Sequence, residues 1–215
     1  MAKETANFVR NGQVFILDSI NTANTADLIA DMTDLVTKLP HRPATESRNY
    51  TITNPYILPG KSKPTVLDIT INSNGGVCYP YQTISALISR AKSMGAIVRI
   101  MVGGIAASSA SLLAIQGTPG FRIMYESSRH MIHWGTYPFT FDRESDVDKM
   151  ADNIRDYKEK INEIYLQFTK IPARHLKQMM NSEASYLTAA ECLKLNVCDW
   201  ILCADGKFIG RNHTR

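Results

Sequence analysis

No apolar run in this chain approaches the ~20 residues that a bilayer-spanning helix needs, so a membrane-embedded function is not expected. Met1 to Arg10 also lacks the apolar stretch of a secretory signal, which makes a cytoplasmic location the default expectation. Cysteine is sparse and unpatterned. Cys78, Cys192, Cys198 and Cys203 show no C-x-x-C spacing and no adjoining histidine pattern, so zinc and dithiol motifs are excluded and reduced thiols are expected. His41, His175 and His213 sit in polar or terminal contexts and no histidine pair has metal-ligand spacing; neither a catalytic metal nor a cofactor is expected. A large excess of one charge is missing too. The 24 Lys and Arg against 20 Asp and Glu leave a net +4, to which Lys207, Arg211 and Arg215 contribute near the end. The other basic residues are interspersed with acids, and nucleic-acid binding is not indicated.

What is present suits a globular enzyme: 215 residues, 44% hydrophobic and 20% charged, enough for one sizeable core and a single domain over residues 1–215. The pattern along the chain is α/β. Val14 to Leu17 reads as a strand. Thr25 to Thr37 reads as a helix with Leu28, Ile29, Met32, Leu35 and Val36 on one face, ended by Pro40. Residues 41–64, rich in Pro, Asn, Thr and Ser, read as an inserted surface loop or hairpin. Tyr81 to Ser93 forms a second helix with Ile84, Leu87, Ile88 and Ala91 on one side, closed by Gly95. Strands follow at Ile97 to Val102, Phe121 to Tyr125 and Met131 to Trp134. From Glu144 to Lys170, Met150, Ile154, Tyr157, Ile161, Ile164 and Phe168 recur at steps of four and three. That predicts a long amphipathic helix with a narrow apolar stripe.

Chemistry concentrates at Gly103-Gly104-Ile105-Ala106-Ala107-Ser108-Ser109-Ala110-Ser111. An apolar strand, a glycine turn and a serine opening a helix would set a hydroxyl among free backbone N–H groups, an arrangement suited to acyl transfer. A second strand, Val66 to Ile71, runs into Asn72-Ser73-Asn74-Gly75-Gly76, whose glycines can expose their N–H groups as oxyanion donors. Met131-Ile132-His133-Trp134 reads as a short strand carrying a histidine, the usual general base for a serine. His130 and His133 are three apart, so in an extended strand they face opposite sides and only one can serve Ser108.

Together these three segments resemble the proteolytic subunit of the Clp protease (ClpP) and related phage-encoded ClpP-like peptidases. The family's Ile-Asn-Ser-Pro-Gly-Gly appears as Ile71-Asn72-Ser73-Asn74-Gly75-Gly76, with Asn74 in place of the proline. Its Gly-x-Ala-Ala-Ser appears as Gly104-Ile105-Ala106-Ala107-Ser108, and its Met-Ile-His as Met131-Ile132-His133. The resemblance extends from about Asn11 to Ile201 and implies a crotonase-like spiral of repeated β-β-α units with a handle helix at residues 144–170. It selects Ser108 as nucleophile, His133 as base, and the Ser109 N–H with that of Gly75 or Gly76 as the oxyanion hole. Ile161 and Tyr165, near the base of the long helix, are expected to line the pocket for the residue before the cut.

The third member of the triad departs from the family. The aspartate that precedes the family's aromatic by two positions would fall at Ala184, two before Tyr186, and an alanine cannot orient an imidazole. Glu183, one position earlier, is the expected acid; Asn181 or Ser182 as acceptor, or a degenerate triad, are the alternatives. The resemblance further implies an ATP-dependent Clp-type serine endopeptidase acting on unfolded polypeptides. It implies heptameric rings stacked into a homo-oligomeric tetradecamer, an axial segment at residues 1–10, and an AAA+ unfoldase of the ClpX or ClpA type as partner. The departures point to a phage-type member, with a head-maturation protease or an inactive ClpP-like subunit of a mixed ring as alternatives. A crotonase-type acyl-CoA enzyme is disfavoured by the Ser108 and His133 pair.

Overall fold

A computed structural model describes residues 6–41, 52, 54–57, 64–135 and 146–210. Its strands and helices alternate as an α/β succession. β1 (Asn7–Arg10) and β2 (Gln13–Ile16) lead into α1 (Thr22–Thr37); β3 (Val66–Ser73), α2 (Cys78–Ser93), β4 (Ile97–Ala107) and α3 (Ser109–Ala114) follow. Then come β5 (Arg122–Tyr125), β6 (Arg129–Ile132), α4 (Asp146–Phe168) and α5 (Ala173–Asn181). The chain closes with β7 (Ser185–Thr188), α6 (Ala189–Lys194), β8 (Trp200–Leu202) and β9 (Phe208–Gly210).

The sheet runs β1-β2-β3-β4-β5-β8-β9, with parallel pairing from β2 through β8 and an antiparallel pair at each end. Strand β4 has two partners. Its Ile100–Val102 part pairs with β5, whereas Ile105–Ala107 pairs with β6, which in turn pairs antiparallel with β7. Strand β4 therefore leaves the main sheet to start a second, smaller layer, and the site lies at that departure. Alternating burial along β3 puts Leu67, Ile69 and Ile71 into the core, where α1 contributes Leu28, Met32 and Val36 and α2 contributes Ile84 and Ile88. Each such aliphatic side chain contributes about 1.5–3 kcal/mol through removal from water.

Local signals explain where the elements start and stop. Asn21 caps α1: its Oδ1 accepts from the N–H groups of Ala23 and Asn24, and the Asn24 side chain accepts from the Asn21 N–H. The cap extends α1 three residues ahead of the expected start at Thr25. Gly95, at φ +86°, ends α2 in the left-handed conformation that satisfies the last carbonyls. Thr188 and Glu191 form a second capping box at α6, a Thr-x-x-Glu signature within the segment Tyr186 to Glu191.

Three expectations need correction or restriction. Gly103 and Gly104 do not form a turn: β4 continues through them to Ala107. Gly104 is needed because a Cβ there would lie 2.5 Å from Asn72 Oδ1, the atom that accepts the Ile105 N–H at 3.0 Å. At the N-terminus, Asn7–Arg10 pairs with β2 and is a strand; residues 1–5 lie outside the described residues. The insertion at residues 41–64 lies mostly outside them too, although Pro55 and Tyr56 dock on Arg99 of β4, by a 3.1 Å hydrogen bond and a cation–π contact.

Candidate active site

The turn expected at the glycines occurs at Ser108. Between β4 and α3 its backbone takes φ 54° and ψ −127°, a conformation that costs a non-glycine residue about 1–3 kcal/mol. Surrounding bonds hold it there. The Ser108 N–H donates to Met131 O of β6 at 3.2 Å, and the Ser108 carbonyl accepts from the Ser111 and Leu112 N–H groups at 2.9 and 3.4 Å. As the first helical residue, Ser109 has no intrahelical acceptor for its N–H, and none occurs among the described residues. Helix α3 spans only six residues, so individual N–H groups rather than a long helix dipole provide the local polarity.

Gly75 packs directly against this turn. A Cβ on Gly75 would lie 2.4 Å from Ala107 O and 2.8 Å from Ser108 Cβ, and its φ of +85° disfavours any side chain. Ser73 fixes the glycine segment: its Oγ donates to Asp18 O at 2.6 Å and accepts the Gly75 N–H at 3.0 Å. The Gly75 N–H is therefore occupied. Ile20 clamps the other side, donating to Gly75 O at 2.8 Å and accepting from the Val77 N–H at 2.6 Å. Between them, the Gly76 N–H has no acceptor among the described residues. Of the two glycines expected to supply an oxyanion donor, Gly76 has the free group.

Strand β6 ends at Ile132, so His133 follows the strand instead of lying within it. His133 nevertheless lines the same cavity as Ser108, Ser109, Gly75 and Gly76, a space of about 370 Å³ whose other walls include Leu112, Tyr157, Ile161 and Tyr165. His133 Nε2 is buried without a hydrogen-bond partner among the described residues. Burial lowers the His133 pKa from the ordinary imidazole value, keeping the ring neutral and able to accept a proton. His130 is fully buried on the other side of the strand, consistent with the three-residue spacing.

The carboxylate expected beside His133 is not brought there. The β6–β7 pairing ends with Ile132 facing Ser185, and His133 and Ala184 are the next residues beyond that pair, outside both strands. Glu183 is exposed, is not among the residues lining the cavity, and makes no hydrogen bond to His133 among the described residues. Asn181 Oδ1 already accepts from Trp134 Nε1 at 3.0 Å, and Ser182 Oγ donates to Met179 O at 2.6 Å. Neither alternative acceptor hydrogen-bonds to His133 among the described residues.

The family model for Clp protease matches residues 45–204. The chain belongs to the Clp protease family. Among curated proteins, the ATP-dependent Clp protease proteolytic subunit 1 of Chlamydia caviae is 31% identical over 134 residues, covering 61% of this chain and 68% of that protein. Among solved structures, a peptidase from Plasmodium falciparum superposes with a TM-score of 0.64 at 17% identity, covering 89% of this chain and 95% of the other. At that identity the superposition speaks for the fold, and it agrees with the Clp-type α/β architecture.

Within this Clp-family peptidase two groups at the cavity escaped sequence reading. Cys78 lines it at the start of α2, with Sγ 2.8 Å from Tyr157 Oη. Ser111 bonds to the Ser108 carbonyl and also meets Tyr165 Oη at 2.6 Å. Nothing in the spacing of Ser111 and Tyr165 announces that contact.

Proposed function

We propose that this Clp-family peptidase is a serine endopeptidase that hydrolyses unfolded polypeptides through an acyl-enzyme. The observation that carries the reading is the meeting of Ser108, His133 and the unengaged N–H groups of Gly76 and Ser109 at one cavity. Ser108 Oγ attacks the scissile carbonyl carbon while His133, neutral because it is desolvated, takes the hydroxyl proton. The carbonyl oxygen gains the negative charge, which the Gly76 and Ser109 N–H groups stabilise. Collapse of the tetrahedral species breaks the C–N bond, and His133 returns the proton to the leaving amine; water then repeats the sequence on the ester. Ile161 and Tyr165 line the part of the cavity that receives the side chain before the cut. Glu183 can orient His133 only if the turn at residues 181–184 rearranges.

We further infer self-association into heptameric rings, stacked as a tetradecamer. Only Ile161 and Tyr165 of α4 are fully buried, both in its C-terminal part, so Met150 and Ile154 of the apolar stripe, half-buried, retain surface for a second copy. An AAA+ unfoldase partner of the ClpX or ClpA type and a cytoplasmic location follow from the family reading.

A second reading has its own support. Among the described residues no carboxylate hydrogen-bonds to His133, and Ala184 stands where the family's aspartate falls, as expected of an inactive ClpP-like subunit of a mixed ring. A fluorophosphonate probe, with the adduct mapped by peptide mass spectrometry, separates the two. Labelling at Ser108 that is lost in Ser108→Ala supports the peptidase, and weaker labelling in Glu183→Ala would give that acid a role. An unlabelled, folded ring would favour the inactive subunit.

A further inference from the structure

Beneath the nucleophile turn lies a row of buried polar groups that take no part in the proton transfers proposed above. His130 Nε2 is 3.3 Å from Tyr165 Oη, which is 2.6 Å from Ser111 Oγ, which is 2.5 Å from the carbonyl oxygen of Ser108. His130, Tyr165 and Ser111 are each at most 1% exposed. The proton positions follow from counting. A carbonyl can only accept, so the Ser111 hydroxyl donates to Ser108 O. Having one proton, Ser111 must then accept from Tyr165. Tyr165 has likewise spent its proton, so His130 must donate from Nε2, leaving Nδ1 bare. His130 Nδ1 is in fact a buried atom without a hydrogen-bond partner among the described residues. Burial lowers the His130 pKa to about 3 and raises that of Tyr165, so both stay neutral as this assignment requires.

We propose that His130, Tyr165 and Ser111 are positioning residues that form a one-way hydrogen-bond chain holding the Ser108 carbonyl, and with it the strained backbone of the nucleophile. The proposal rests on Ser108 being the nucleophile. Residues joined in series polarise one another, so the last link is stronger than an isolated bond. The chain ties β6 and α4 to the turn: His130 comes from β6, Tyr165 from α4 and Ser111 from α3. Ser108 is thereby braced from below by side chains, while Gly75 confines it from beside.

The test uses the full-length protein. Tyr165→Phe keeps the ring that lines the cavity and removes both of its hydrogen bonds; Ser111→Ala removes the final link. Each is expected to lower kcat for a peptide substrate by roughly tenfold or more, the equivalent of one buried hydrogen bond, while KM changes less than twofold. The double variant should lose little beyond the worse single variant, because both cut one chain. Replacing His130 separates positioning from packing. His130→Gln, whose amide can donate from near the Nε2 position, should retain more of kcat than His130→Asn, whose shorter amide cannot reach. Nitrogen NMR of the wild-type protein provides a check independent of any variant, with protonated Nε2 and bare Nδ1 expected at His130. A protonated Nδ1, or unchanged kcat in Tyr165→Phe and Ser111→Ala, would overturn the chain while leaving the nucleophile in place. If a fluorophosphonate fails to label wild-type Ser108, the nucleophile reading fails and the positioning role falls with it.

Discussion

Installing an acid opposite His133 should raise the activity of this enzyme. Ala184 is half-buried and one register step beyond the Ile132–Ser185 pair, so Ala184→Asp would set a carboxylate across from the imidazole. At about 4 Å, and with an effective dielectric of about 20, a carboxylate attracts imidazolium by about 4 kcal/mol before screening. Partial exposure of the pair reduces this, and ~2.7 kcal/mol realised in the transition state corresponds to about 100-fold in rate. The ceiling is the ~10⁴ associated with an orienting acid that fixes both tautomer and charge. Hydrolysis of a fluorogenic peptide, with the rate of fluorophosphonate labelling, measures the gain. The pH profile should move in a stated direction: the new anion favours imidazolium, raises the His133 pKa and shifts the acid limb to higher pH. Ala184→Asn supplies an acceptor without the charge and should give a smaller gain and little shift. An Ala184→Asp protein that folds, assembles and labels no faster than wild type would refute the argument that His133 lacks its acid.

Other expectations follow from the same contacts. Gly75→Ala should nearly abolish labelling at Ser108, because a Cβ must displace Ala107 O and Ser108 Cβ, and the positive φ alone costs about 1–2 kcal/mol; thermal unfolding shows whether the loss is local. In wild type the acid limb of kcat/KM should lie below the usual ~6.5 of histidine, since burial favours neutral His133 and activity is lost only as pH falls through the lowered pKa. His130 should make folding acid-sensitive. Its unfolded imidazole binds a proton below ~6.5 while the folded one resists to about 3, so stability falls by up to about 1.4 kcal/mol per pH unit across that window; denaturant titrations of His130→Val should lack this component. Arg122→Met should destabilise by about 3–5 kcal/mol in the same assay. It would leave Asp199 buried without the partner whose Nη2 lies 2.6 Å from its Oδ1, and Phe168 O and Asn196 O without the guanidinium that joins them.

Much of the α/β order was legible because hydrophobic periodicity is a local property. The faces of α1 and α2 and the apolar runs of β3 and β4 each record one side of an element, and Asn21 and Gly95 mark helix ends by their own side-chain and backbone chemistry. The motifs at Asn72 to Gly76, Gly104 to Ser108 and Met131 to His133 were legible for the same reason: each occupies a few consecutive residues. Relations between distant segments were not. Whether Gly103 and Gly104 make a turn depended on Asn72 filling the space beside Gly104. Which glycine keeps a free N–H depended on the Ser73 hydroxyl, itself anchored to Asp18. Whether the segment ahead of β7 delivers Glu183 to the cavity depended on how the chain enters that strand, and there Glu183 is exposed and outside the cavity lining. The sequence by itself determined the strands, the helices and the three motifs; tertiary packing decided which of their atoms meet, since hydrogen bonds across tens of residues depend on distances that only the folded chain sets.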